Sequence, residues 1–225
     1  MAKFGGDKKE GLGLLGNLET KLVHKFVSKI PKGIETYHLT LMTVLWSLLI
    51  LVFSFFAQFD IDWLWLVSLM ILFQYITDLF DGAVGRHRNT GLIKWGYYMD
   101  HFLDYIFLCT IIIGYSFILP DHFKYILFFI FALFVGFMMN SYLSFATTNK
   151  FKIAYLHIGP TEIRLLFIII NTLLIIFGKT YMAFALPYIL IFSLFGLCFI
   201  IYKTQEEIWQ LDMDYKKRND KKIKK

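Results

Sequence analysis

Residues 77–105 read TDLFDGAVGRHRNTGLIKWGYYMDHFLDY, and the four aspartates in this stretch are bracketed by long apolar runs. Asp78 and Asp81 are three residues apart, Asp100 and Asp104 four apart, so each pair shares one face of a helix. A carboxylate at membrane depth costs about 2.5–3.5 kcal/mol on insertion scales. Four in one place imply a compensating charge. Divalent cations held by oxygen ligands would supply it, and phosphoryl-transfer chemistry uses such ions.

The periodicity extends to the glycines. Asp78, Asp81, Gly82 and Gly85 fall at i, i+3, i+4 and i+7, and Gly96, Asp100 and Asp104 at i, i+4 and i+8. Each set is one continuous stripe. A short linker, 86–95, is expected to make the two helices antiparallel neighbours with facing stripes. At ~1.5 Å rise per residue each aspartate pair spans about 4.5–6 Å, which suits one metal ion or a closely spaced pair. Gly82, Gly85 and Gly96 remove side-chain bulk beside the acids and open a cleft for a planar base or a phosphate. Close helix packing is the alternative use of such residues.

Composition sets this stretch in a membrane. Of 225 residues, 57% are hydrophobic and 19% aromatic. Six spans of about 20 residues are expected, at 39–57, 61–84, 97–118, 122–147, 160–178 and 181–202. The fold class is therefore an all-α membrane protein. Only Lys124 and Lys179, two of the 23 Lys and Arg residues, lie in the linkers on one side. The positive-inside rule then places both termini and the acidic stretch on the cytoplasmic side. Cys109 and Cys198 lie within apolar runs and imply packing, not a disulfide framework.

Residues 12–30 align Leu14, Leu15, Leu18, Leu22, Phe26 and Ile30 on one helical face, with Lys21, Lys25 and Lys29 beside it. Such a helix lies in the membrane interface or against the protein's own cytoplasmic surface. The expected organisation is a segment at 1–38 carrying this helix, a six-span domain at 39–203 and a basic tail at 204–225.

The central stretch resembles the CDP-alcohol phosphotransferases, also called CDP-alcohol phosphatidyltransferases. Their pattern is Asp-x-x-Asp-Gly-x-x-Ala-Arg, eight or nine residues, then Gly-x-x-x-Asp-x-x-x-Asp. This chain supplies Asp78, Asp81, Gly82, Arg86, Gly96, Asp100 and Asp104, with Gly85 at the alanine position. The resemblance implies transfer of a phospho-alcohol from a CDP-alcohol to a hydroxyl acceptor, with release of CMP, in phospholipid synthesis. Asp78, Asp81, Asp100 and Asp104 would hold magnesium, or manganese in its place, as two ions. Asp104 would be the general base. Asp78, Gly82, Gly85, Arg86 and Gly96 would cradle the nucleotide and diphosphate. Donor or acceptor would be a lipid, the partners are membrane lipids and a second copy in a homodimer, and nucleic acid is not among them.

Two directions of transfer stay open. His101 after Asp100, and Ile158-Gly159-Pro160-Thr161-Glu162 opening a late span, are similar to enzymes that use CDP-choline or CDP-ethanolamine with a lipid alcohol. The other direction joins CDP-diacylglycerol to inositol phosphate, glycerol phosphate or serine. His101, Glu162, Arg164 and Asn140 are the further substrate-lining candidates, being polar at costly positions. A divalent-cation transporter or channel is the rival class. It fits less well, because the outer halves of the second and third spans, IDWLWLVSLM and FLCTIIIGYSF, continue no polar path.

Overall fold

A computed structural model describes residues 9–10, 13–152 and 159–223. Ile158, the start of the amphipathic stretch at Leu12 and the end of the basic tail lie outside them. The described chain is helical apart from a two-residue parallel pairing of Lys9–Glu10 with Phe151–Lys152. An N-terminal helix, α1 (Gly16–Phe26), precedes α2 (Thr36–Phe56), α3 (Leu64–Arg88), α4 (Ile93–Ile118), α5 (Lys124–Thr148), α6 (Pro160–Phe177) and α7 (Lys179–Ile223). Six of these are long and apolar enough to cross a membrane.

Local chemistry sets the helix ends. Glu35 and His38 form a capping box at the start of α2, with the Glu35 N–H donating to His38 Nδ1 at 3.0 Å. The span therefore begins at Thr36, within the polar residues preceding the apolar run. Asn89 and Asn149 end α3 and α5 in the left-handed conformation, with φ of 52° and 57°. Gly178, at φ 81°, makes the turn that separates α6 from α7.

The buried face of α2 is a row of small hydroxyl residues, Thr36, Thr40, Thr43, Ser47 and Ser54, with Ile50 among them. This row lets α2 pack closely along both α3 and α4. The expectation that α3 and α4 are packed neighbours is thus corrected: they approach each other little, and α2 lies against both. Sequence spacing shows that two helices are joined by a short linker, not that a third helix wedges between them. Ile50, Leu64, Ile71, Phe107, Ile111 and Leu174 fill the common core.

Polar bonds tie α6 to this core. The Tyr115 hydroxyl donates to Asn171 Oδ1 at 2.9 Å, and Asn171 Nδ2 donates to Ser68 Oγ at 3.1 Å. α5 packs on α7. The last helix runs 45 residues, well past the expected span end at 202. The basic tail continues it as helix because Lys, Glu, Gln and Arg are good helix formers and neither Gly nor Pro interrupts them.

Candidate active site

Asp78 on α3 and Asp100 and Asp104 on α4 each offer a carboxylate oxygen, and these oxygens lie within 4.8 Å of one another. All three residues are half-buried. Three converging anionic oxygens are the hard donor set that a divalent cation such as magnesium takes. The donor set is therefore chemically right for the ion that the motif implies.

Arg164 of α6 enters the same cluster. Its Nη2 lies 2.7 Å from Asp104 Oδ1 and 3.1 Å from Asp78 Oδ2. The residue is buried, at 4% exposure, and its guanidinium stands over the Phe107 ring at 5.7 Å. Its neighbour by two positions faces elsewhere, as helical geometry requires. Glu162 accepts the Gly159 N–H at 2.7 Å, closing the α6 capping box, and the Leu15 N–H at 3.2 Å.

Asp81 is buried and stands outside the three-oxygen group. Thr40 Oγ1 donates to its Oδ2 at 2.9 Å, and Thr36 Oγ1 to its backbone carbonyl at 2.7 Å. The Gly82 N–H also donates to Asp81 Oδ1. The threonine row on α2, spaced at i, i+4 and i+7, is the sequence signal for this support.

The glycines divide by environment. A Cβ on Gly85 would meet Thr36 Oγ1 at 2.7 Å, so the space that alanine would need is taken by a hydroxyl. Gly85 serves the α2–α3 approach. A Cβ on Gly82 would come 3.2 Å from Nη1 of Arg86, which folds back over it. A Cβ on Gly96 would meet nothing within 4 Å among the described residues outside its own helical turn, which leaves that face open.

His101 sits in an aromatic group, with ring centroids 4.5 Å from Tyr97, 4.7 Å from Phe151 and 5.4 Å from Tyr142. Its Nδ1 is 3.6 Å from Asp100 Oδ2. Asn140 lies in the α5–α7 seam, where its Nδ2 donates to Thr204 Oγ1 at 3.2 Å.

The N-terminal helix reaches this end of the bundle through Glu19, a residue not singled out from sequence. Glu19 Oε1 accepts from Tyr75 on α3 at 2.9 Å and from Thr161 on α6 at 2.6 Å. Glu19 is the lone acid of a lysine-rich helix, and that isolation is its sequence signal. The apolar stripe beside it, Leu14, Leu18, Leu22 and Phe26, is exposed.

A family model described as CDP-alcohol phosphatidyltransferase matches residues 37–196. No curated protein and no solved structure matches the chain. The matched span runs from the first turn of α2 into α7 and contains the whole acid cluster with Arg164. Six helices able to span a membrane, three converging aspartates and this match make one statement: the chain is a multi-pass membrane protein of the CDP-alcohol phosphatidyltransferase family, which transfers phospho-alcohols from CDP-alcohols in a divalent-metal-dependent reaction.

Proposed function

We propose that Asp104 is the general base for transfer of a phospho-amino-alcohol from CDP-choline or CDP-ethanolamine to a lipid alcohol. The convergence of Asp78, Asp100 and Asp104 oxygens within 4.8 Å carries this reading. Asp78, Asp81 and Asp100, with Asp104 also touching a metal, would hold magnesium, or manganese, as two ions that neutralise the diphosphate. The acceptor oxygen forms its bond to the β-phosphorus as its proton passes to the Asp104 carboxylate. The bond from that phosphorus to the bridging oxygen breaks, and CMP leaves with the electron pair. The open face of Gly96 accommodates the cytidine, and Arg86, lying over Gly82, steadies phosphate charge as a forked donor.

The direction of transfer is supported by His101, held beside Asp100, and by Thr161-Glu162 at the head of α6. The concentration of Lys and Arg around the acidic stretch supports a cytoplasmic site with both termini on the same side. The working unit is a homodimer.

The test is CMP release by purified protein in lipid with magnesium. CDP-choline, CDP-ethanolamine and CDP-diacylglycerol would each be paired with acceptors. Release with an amino-alcohol donor and diacylglycerol, falling about 10²–10⁴-fold in Asp104→Asn, is the expected result. Release only with CDP-diacylglycerol would reverse the direction, and silence from every pairing would overturn the reading.

A further inference from the structure

One nitrogen of Arg164 serves two carboxylates. Nη2 lies 2.7 Å from Asp104 Oδ1 and 3.1 Å from Asp78 Oδ2, while the buried Nε finds no acceptor among the described residues. A guanidinium carries five N–H donors in a rigid fork. Here part of the fork is engaged, and a second prong points from a buried position with its hydrogen bond unmade. An unmade bond of this kind is costly unless a ligand completes it.

The engaged nitrogen also holds two of the three residues whose oxygens gather at cation-binding distance. A divalent cation on Asp78 and Asp104 draws on the same two carboxylates. Cation and guanidinium bear the same sign of charge, so they repel each other when both draw on these half-buried carboxylates. Phe107 offers the flat guanidinium a surface along which it can shift while staying in the cluster.

We infer that Arg164 is an exchangeable counter-ion, which neutralises Asp78 and Asp104 until a divalent cation arrives and then turns its fork to a phosphate oxygen of substrate. The inference rests on the proposed function only in requiring a phosphate-bearing ligand at this cluster. Its consequence is a thermodynamic coupling. A phosphate that recruits Arg164 frees the carboxylates for the cation, and a bound cation frees Arg164 for phosphate. Each ligand must therefore tighten the other by the same factor. A purely architectural ion pair would behave otherwise: its removal would distort the cluster and weaken cation binding.

The experiment measures Mn²⁺ affinity by titration calorimetry on the full chain in lipid nanodiscs. Wild type, Arg164→Gln and Arg164→Lys are compared alone, with saturating CDP, and with glycerol phosphate. Without phosphate ligand, Arg164→Gln should bind Mn²⁺ about 5-fold or more tighter than wild type. A phosphate ligand should tighten wild type by a similar factor beyond any effect on the variant. Tightening by CDP assigns the phosphate to the donor, and tightening by glycerol phosphate assigns it to a phosphorylated acceptor. Arg164→Lys keeps the charge without the fork, so it should resemble wild type alone and lose most of the coupling. This result remains readable if the glutamine variant does not fold.

Equal or weaker Mn²⁺ binding in Arg164→Gln, or no coupling in wild type with either ligand, would overturn the inference. CMP release is read separately on wild type. Release without coupling rejects the counter-ion exchange alone, whereas coupling without release rejects the transfer reading.

Discussion

The Leu15 N–H donates to Glu162 Oε1 at 3.2 Å, joining the N-terminal helix to the head of α6 across 147 residues of chain. The same carboxylate caps α6 through Gly159. Glu162→Ala should release both donors at about 0.5–2 kcal/mol, the usual cost of a lost cap. Amide exchange would rise together at Leu15 and Gly159 and stay unchanged in α4. A Cβ on Gly13 would stand 2.6 Å from Glu162 Oε1, so Gly13→Val should displace the start of α1 and raise exchange at Leu15 while leaving Gly159 protected.

Gly85 and Thr36 test the α2–α3 approach. Alanine at Gly85 pushes Thr36 Oγ1 off the Asp81 carbonyl, and overpacking of this kind costs roughly 1–3 kcal/mol. Thr36→Ala removes the obstruction. Thermal unfolding of the two single variants and the double variant in detergent should show a double loss smaller than the sum, by 0.5 kcal/mol or more on a double-mutant cycle. Simple additivity would reject the contact.

Thr40 orients Asp81 from another helix. Thr40→Val keeps the shape and deletes the donor to Asp81 Oδ2. Loss of a partner that orients a metal-site carboxylate typically costs 10–100-fold in metal affinity or activity. CMP release should fall by about that range in Thr40→Val and recover in Thr40→Ser. An unaffected valine variant would show that Asp81 needs no such support.

Arg88 closes the other side of the linker before α2. Its Nη2 donates to the carbonyls of Ile30 at 3.1 Å and Pro31 at 2.9 Å, and Nη1 donates to Ile34. Bonds from a charged donor contribute roughly 1.5–3 kcal/mol, so Arg88→Ala should speed amide exchange across residues 30–35 about 10-fold or more. Arg88→Lys lacks the fork and should restore only part of the protection.

The acid pairs, the spans and the glycine stripes were legible because each depends on spacing within one helix. The cluster of Asp78, Asp100 and Asp104 follows from two such stripes joined by a short linker. Arg164 was visible only as a costly polar residue, because 60 residues separate it from Asp104 and no local period reports that contact. The wedge of α2 between the acid-bearing helices was illegible for the same reason. For Gly85 the sequence left ligand space and close helix packing both open, because a missing Cβ says nothing of what fills the gap. The length of α7 was missed where composition changed from apolar to basic, although helix propensity did not.

Packing of α2 is tight at both ends. Thr36 crowds Gly85 of α3 near the acids, and a Cβ on Gly114 of α4 would meet Ser54 Oγ at 2.5 Å toward the opposite end. A helix without any of the four aspartates therefore acts as the shim that gauges how far the two acid-bearing helices stand apart. Selection for the chemistry would then leave its imprint on methyl-sized positions as far along α4 as Gly114, ten residues beyond Asp104. Swapping α2 alone between related chains would change metal affinity without altering a single ligand.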